Sequence, residues 1–224
     1  MLNIQNLSFS YGRKKIFHGL SFTVAQGDCI GIVGCNGCGK STLLSVLAGC
    51  RPARSGSVFL EGCDIASDPS VSRTRIGYVP QEIPFIPELS VYDNLLFWYP
   101  GKKQDMDAAL LSPICHALGI RELLYKRVSV LSGGQRKKAG IVSALLHHPA
   151  LLLLDEPSSA LDIGIRSEIT DFLKSYLQNG GTVLLSTHEE CELTLCNRLI
   201  AMRNGTIHEI SPSLRDIALL QQIQ

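Results

Sequence analysis

Residues Cys29 to Val33 form a short apolar run. The chain then passes through Gly34-Cys35-Asn36-Gly37-Cys38-Gly39-Lys40-Ser41-Thr42 into a helix-like stretch. The turn reads G-x-x-x-x-G-K-S in a strand–loop–helix context, and this constrains the fold more than any other feature. Its glycines let successive backbone N–H groups turn inward around phosphate oxygens, where Cβ atoms would obstruct. The helix N-terminus that follows adds a positive dipole end. In such a loop Lys40 reaches the β- and γ-phosphates as a point charge, and the Ser41 hydroxyl ligates Mg²⁺. The G-x-G-x-x-G spacing of dinucleotide loops does not occur in this turn.

Around the loop, strand-like and helix-like stretches alternate, as in a parallel sheet with helices packed about it. Leu2, Ile4, Leu7 and Phe9 alternate with polar residues, which predicts a half-buried strand. Further strands are predicted over Leu20–Val24, Ser57–Glu61, Ile76–Val79, Leu151–Leu154, Thr182–Ser186, Leu199–Met202 and Thr206–Ile210, the last two flanking an Asn204-Gly205 hairpin signal. Helices are predicted over Lys40–Ala48, Val91–Trp98, Met106–Leu118, Gln135–His147 and Ile163–Gln178. Prolines 84, 87, 100 and 113 punctuate the stretch from Gln81 to about Arg127, which reads as a helical insertion.

Composition narrows the class. The chain has 224 residues, 45% apolar and 18% charged, with a net charge of +1. That is enough length for a sizeable core and too little charge for disorder. Near-neutrality argues against a broad nucleic-acid footprint and against unaided adsorption to anionic lipid. The longest unbroken apolar runs, Ala150 to Leu154 and Leu95 to Tyr99, fall far short of a membrane span. The N-terminus has no charged segment followed by an apolar core, so no secretory signal is read there. The expectation is a cytoplasmic protein whose eight cysteines are thiols rather than a disulfide framework.

Two further segments carry chemistry. Leu151 to Leu154 is a continuous apolar strand suited to the buried centre of a parallel sheet, and it ends in Asp155-Glu156-Pro157. Ligands bind at such carboxyl ends. Asp155 would hold Mg²⁺ there, and Glu156 would orient or polarise an attacking water. The second segment is Leu131-Ser132-Gly133-Gly134-Gln135. Ser132 and Gln135 have the spacing of a capping box. Two adjacent glycines weaken a helix start and suggest close approach of an anion, hence a second phosphate-binding surface. Cys35 and Cys38 form a C-x-x-C pair. Phosphate-binding amides would lower a thiol pKa, yet no second C-x-x-C completes a zinc site, so the pair reads as incidental, oxidation-sensitive thiols.

The phosphate loop, Leu131 to Gln135 and Leu151 to Glu156 together resemble the nucleotide-binding subunit of ABC (ATP-binding cassette) transporters, over essentially the whole chain. The resemblance implies an α/β P-loop (RecA-like) core with an N-terminal antiparallel β subdomain and an inserted α-helical subdomain. It implies one domain over 1–224, with the core in 1–80 and 143–224 and the helical subdomain in 81–142. Tyr11 matches the aromatic that stacks on adenine. Gln81 matches a glutamine that contacts Mg²⁺ and senses nucleotide. His188 matches the histidine that contacts the γ-phosphate, so Lys40, Gln81, Glu156 and His188 form the implied catalytic set. Ser41, Gln81 and Asp155 are the implied metal set. The segment from Leu89 to Leu95 looks like the region near which a membrane subunit's coupling helix docks, and Ser159 to Asp162 like a dimer-interface loop. In this family two subunits close head to tail over two ATP molecules. Ser132, Gly133, Gly134 and Gln135 then face the ATP held by the partner's loop. Cys38 stands where a small residue is more usual, and Lys137-Lys138 read as ordinary basic variation.

The resemblance thus implies an ATPase, with ATP and Mg²⁺, that powers transport through separate transmembrane permease subunits on the inner face of the cell membrane, touching the membrane only through them. A complete motif set points to a homodimer, with a heterodimer as the alternative. A soluble ABC ATPase of DNA repair or translation is the competing reading. It is disfavoured by the single cassette, the absence of a heptad run and the low net charge.

Overall fold

The architecture, in a computed structural model that describes residues 1–210, is built on two sheets. Strands β1 (Leu2–Tyr11), β2 (Lys14–Val24), β4 (Ser55–Leu60) and β5 (Cys63–Asp64) form an antiparallel sheet in the order β2-β1-β4-β5. Strands β3 (Cys29–Val33), β6 (Ile76–Val79), β7 (Leu151–Asp155), β8 (Val183–Ser186), β9 (Arg198–Arg203) and β10 (Thr206–Ile210) form the second, in the order β10-β9-β3-β8-β7-β6. All of its pairings are parallel except β9 with β10.

Strand alternation sorts the central side chains between two cores. Leu152, Leu154, Val183 and Leu185 pack on one face of the large sheet; Ile30, Ile32, Leu151, Leu153 and Leu184 pack on the other. Every residue of β3, β7 and β8 is buried. This explains why their sequences read as unbroken apolar runs rather than alternating ones. The α/β class and the antiparallel N-terminal sheet are as expected. The part of the expected core beyond Ile210 lies outside the described residues.

Helices α1 (Lys40–Leu47), α2 (Pro69–Arg75), α3 (Val91–Trp98), α4 (Lys103–Ala109), α5 (Pro113–Ala117), α6 (Gly133–Leu145), α7 (Ile163–Gln178) and α8 (Glu190–Leu193) complete the described fold. Helices α3 and α7 match their predicted spans. The single helix predicted over Met106–Leu118 is instead two, α4 and α5. Proline in mid-helix would lose a hydrogen bond and clash with the preceding turn; Pro113 instead opens α5, capped by the Ser112 hydroxyl. Strand β2 begins at Lys14 rather than Leu20, because pairing with β1 from Tyr11 onward carries its polar first half. The predicted hairpin is present, with φ of 50° at Asn204 and 76° at Gly205 between β9 and β10. Positive φ at both central residues matches the right-handed strand twist.

Candidate functional site

The parallel strands deliver their loops to one edge. The glycine-rich loop follows β3, Gln81 follows β6, Glu156 follows β7 and His188 follows β8. Ligand sites in open α/β sheets form at this carboxyl edge, where connections leave in opposite directions.

The loop has little freedom of composition. Gly34 has φ of 150°, and a Cβ there would run into the Met202 carbonyl. Gly39, with φ of 116°, would press a Cβ to 2.8 Å from Ile16. The loop leads into α1, whose first residue, Lys40, is buried. Its Nζ donates to the carbonyls of Gly34 (2.7 Å) and Cys35 (3.2 Å). The ammonium is thus held by the loop it serves. Cys35, Asn36 and Gly37 are exposed, and Cys38 is half-buried. Burial pushes the Cys38 thiol up, only partly opposed by the charge of Lys40, and neighbouring Cys35 pushes it further. This is opposite to the lowered thiol value that the amide environment suggested.

Asp155, 2% exposed at the end of β7, accepts hydrogen bonds on Oδ1 from Ser41 Oγ (3.1 Å) and Ser186 Oγ (2.6 Å). Ser41 and Asp155 thus present a hydroxyl and a carboxylate oxygen side by side. Such hard oxygen donors fit Mg²⁺, which keeps several waters and takes its other ligands from phosphate.

Glu156 sits at φ of 47°, a left-handed conformation held by its N–H donating to Ser186 (3.1 Å to the carbonyl, 3.2 Å to Oγ). That backbone turn aims its carboxylate along the edge of the sheet. Oε2 accepts from Gln81 Nε2 (3.0 Å), and Oε1 lies 4.0 Å from His188 Nε2. Burial first, and the charge of Lys40 next, hold the His188 imidazole below its ordinary value, against the opposing pull of Glu156 and Glu189. The ring is therefore neutral near pH 7, with an N–H to offer an anion.

A cavity of 420 Å³ is lined by Tyr11, Lys14, Ile16, Gln81, Glu156 and loop residues Asn36, Gly37, Gly39, Lys40, Ser41 and Thr42. It brings together residues of the glycine-rich loop, Gln81 and Glu156. Tyr11 stands at one end, 44% exposed, with the Arg51 guanidinium 5.3 Å from its ring centroid and Phe9 edge-on at 4.9 Å. Lys14, Ile16, Arg51 and Ser186 were not singled out from sequence. Each is brought in by strand pairing or by chain return, and none carries a local motif.

Ser132, Gly133, Gly134 and Gln135 do not line this cavity. Ser132 and Gln135 form the capping box of α6: Gln135 N–H donates to Ser132 Oγ (3.2 Å) and Ser132 N–H to Gln135 Oε1 (3.1 Å). Gly134 has a packing reason, because a Cβ there would meet Ile165 of α7 at 2.7 Å. Gly133 is exposed, and a Cβ there would meet the Leu161 side chain at an ordinary 3.8 Å. One turn on, Lys137 is buried. Its Nζ donates to the Gln81 (2.9 Å) and Pro80 (3.3 Å) carbonyls. Burial pushes this ammonium down, opposed by Asp155, Glu192 and Glu156. It is no ordinary basic variation of a surface.

A second cavity, of 810 Å³, opens beside the loop after Gln81 and is lined by Ile83, Phe85, Phe97, Trp98, Tyr99 and the α6 face at Gly140 and Ala144, among others. Phe97 and Trp98 remain 63% and 48% exposed.

The ABC transporter family model matches residues 17–159. The chain is 34% identical over 211 residues to the linearmycin resistance ATP-binding protein LnrL of Bacillus subtilis, covering 92% of this chain and 67% of the relative. It is 39% identical over 209 residues to the Nod factor export ATP-binding protein I of Paraburkholderia xenovorans, covering 91% and 68%. The chain thus spans about two thirds of the length of these relatives. A solved dimer of an ATP-binding cassette, in a post-hydrolysis state bound to ADP and Pi, superposes with a TM-score of 0.81 at 25% identity, covering 95% of this chain and 99% of that one.

Proposed function

The chain belongs to the ABC transporter family, as an ATP-binding and ATP-hydrolysing subunit that powers transport across a membrane, and we propose that two such cassettes close head to tail over two ATP molecules while separate transmembrane subunits carry the cargo. The observation that carries the proposal is the split of the site. The glycine-rich loop, Asp155, Glu156, Gln81 and His188 meet at one sheet edge, whereas Ser132, Gly133, Gly134 and Gln135 lie outside that cavity. One chain therefore presents a phosphate cradle and, elsewhere, a helix N-terminus suited to a phosphate held by another chain.

In this reading adenine stacks on Tyr11. Backbone amides from Gly34 to Thr42 cradle the phosphates, and Lys40 reaches the β- and γ-phosphates. Ser41, Asp155 and Gln81 would hold Mg²⁺, which would neutralise charge on the phosphates. Glu156 orients the attacking water and accepts its proton as the water oxygen bonds to the γ-phosphorus and the bond to the β–γ bridging oxygen breaks. His188 donates a hydrogen bond to the γ-phosphate. Most of the catalysis is positioning and charge stabilisation. ATP binding favours the closed pair and hydrolysis removes the bridge, and this differential affinity drives motion in the membrane partner.

The exposed groove at Phe97 and Trp98 is the surface proposed for the coupling helix of a transmembrane subunit, placing the cassette on the cytoplasmic face of the membrane. Among the described residues no helix is long and apolar enough to cross a membrane. The division into a core over 1–80 and 143–224 and a helical subdomain over 81–142 belongs to the same proposal. It is supported by the placement of α3, α4 and α5 between β6 and β7 in the chain.

Light scattering on purified Glu156→Gln protein tests the sandwich. The mass should double on adding ATP, because binding is kept and turnover lost. A mass unchanged by ATP that calorimetry shows to be bound would overturn a homodimeric sandwich.

A further inference from the structure

Lys137 is a charged side chain in a place where charge is costly. It is 6% exposed, and among the described residues no carboxylate forms an ion pair with it. Its two acceptors are main-chain carbonyls of consecutive residues, Pro80 and Gln81, some 57 and 56 positions away in the chain. Taking an ammonium out of water costs several kcal/mol unless its protons are well bonded. Packing alone would be served by an apolar residue at this point of α6.

The geography of the two bonds is specific. Lys137 lies two residues after Gln135, the second member of the capping box. The carbonyls it holds belong to the bend between β6 and the loop whose next residues, Ile83 and Phe85, line the aromatic groove. The side chain of that same Gln81 bonds Glu156 at 3.0 Å. A short chain of direct contacts therefore runs from the start of α6 through Lys137 and the Gln81 backbone to the Gln81 amide and the Glu156 carboxylate.

We propose that Lys137 is a positioning residue, tying the loop that carries Gln81 to α6 so that the docking of this helix against a second chain's nucleotide sets where Gln81 stands against Glu156. The inference rests on the roles given above to Gln81 and Glu156. Its physical basis is that two hydrogen bonds from one ammonium fix both the height and the rotation of the bend, which a single contact would leave free. Small misplacement of a group that orients the reacting atoms lowers turnover far more than binding.

The test is a mutant cycle on the full chain, read as steady-state ATPase and ATP affinity. Lys137→Met keeps the stem and removes the donors. It should lower kcat on the order of tenfold or more while the ATP Kd stays within about twofold. Lys137→Arg, which restores donors, should recover most of the loss. In a Gln81→Ala background Lys137→Met should cost no more than about twofold further, because residues acting as a unit are not additive. Should Lys137→Met not yield folded protein by its thermal transition, Lys137→Gln takes its place in the same cycle. Wild-type kcat in the Lys137 variant, an equal loss in both backgrounds, or a loss explained by weaker ATP binding would each overturn the tether. Wild-type turnover in Gln81→Ala alone would instead overturn the role assigned to Gln81.

Discussion

Lys40 shows how one residue meets two demands at once. Its ammonium is bonded to the Gly34 and Cys35 carbonyls and is buried at 5% exposure. Those bonds hold the cation over the loop without neutralising it, so it is available to phosphate at little reorganisation cost. A hydrogen bond to a charged group contributes about 1.5–3 kcal/mol. Lys40→Ala should therefore weaken ATP binding by roughly ten- to a hundredfold in titration calorimetry, and an unchanged affinity would refute the loop's role. Glu156 depends on a distant strand for its backbone conformation. Its φ of 47° is a conformation that non-glycine residues seldom adopt. The Ser186 bonds that hold it come from a strand 30 residues away. The acid pair after an apolar strand was legible in the sequence; the backbone turn that separates the bearings of Asp155 and Glu156 was not.

Elements were legible in proportion to how local their causes are. Helix α7 has its Asp162 cap and a clear apolar stripe, and β7 and β8 have unbroken apolar runs. Sequence pattern starts α6 at Gln135, two residues after its true start at Gly133, because its two N-terminal glycines count against helix on propensity. The capping box and the Gly134–Ile165 approach outweigh that preference. Just past the other end of α6, His147 is half-buried and its Nε2–H donates to the Ile76 carbonyl at 3.2 Å. Burial holds its pKa below 6.5, partly offset by that hydrogen bond. The native state thus takes up its proton later than the unfolded chain as pH falls, so stability declines from about 6.5 downward toward the lowered native value. The urea midpoint should fall between pH 7 and 5, and His147→Gln should flatten that fall. An equally steep decline in the variant would count against His147 as its source.

At the scale of the whole molecule, the cassette is asymmetric: one edge of the large sheet gathers the phosphate loop and its acids, and α6 offers its N-terminus elsewhere. Two copies related head to tail would complete both sites at once, and a cassette of the same fold has been solved as a dimer. An arginine at exposed Ser132 places a long charged side chain where the partner's phosphates would sit. Ser132→Arg should reduce turnover at least about tenfold while leaving the Kd for ATP within about twofold, because ATP binds at the chain's own loop. Normal turnover in that variant would sink the head-to-tail arrangement.

The glycine-rich loop, the Asp155-Glu156 pair and the capping box at Ser132 were determined by the sequence itself. Each depends on residues a few positions apart, whose spacing and backbone preferences act within one turn or one strand. Tertiary structure decided what those pieces face. The order β3-β8-β7-β6 brings Gln81 within 3.0 Å of Glu156. Strand pairing carries Lys14 and Ile16 to the cavity wall. The packing of α6 against the end of β6 turns Lys137 from a surface lysine into a buried link. The reason is that a side chain's environment is set by elements tens of residues distant, and no local pattern of charge or apolarity records which element will arrive there.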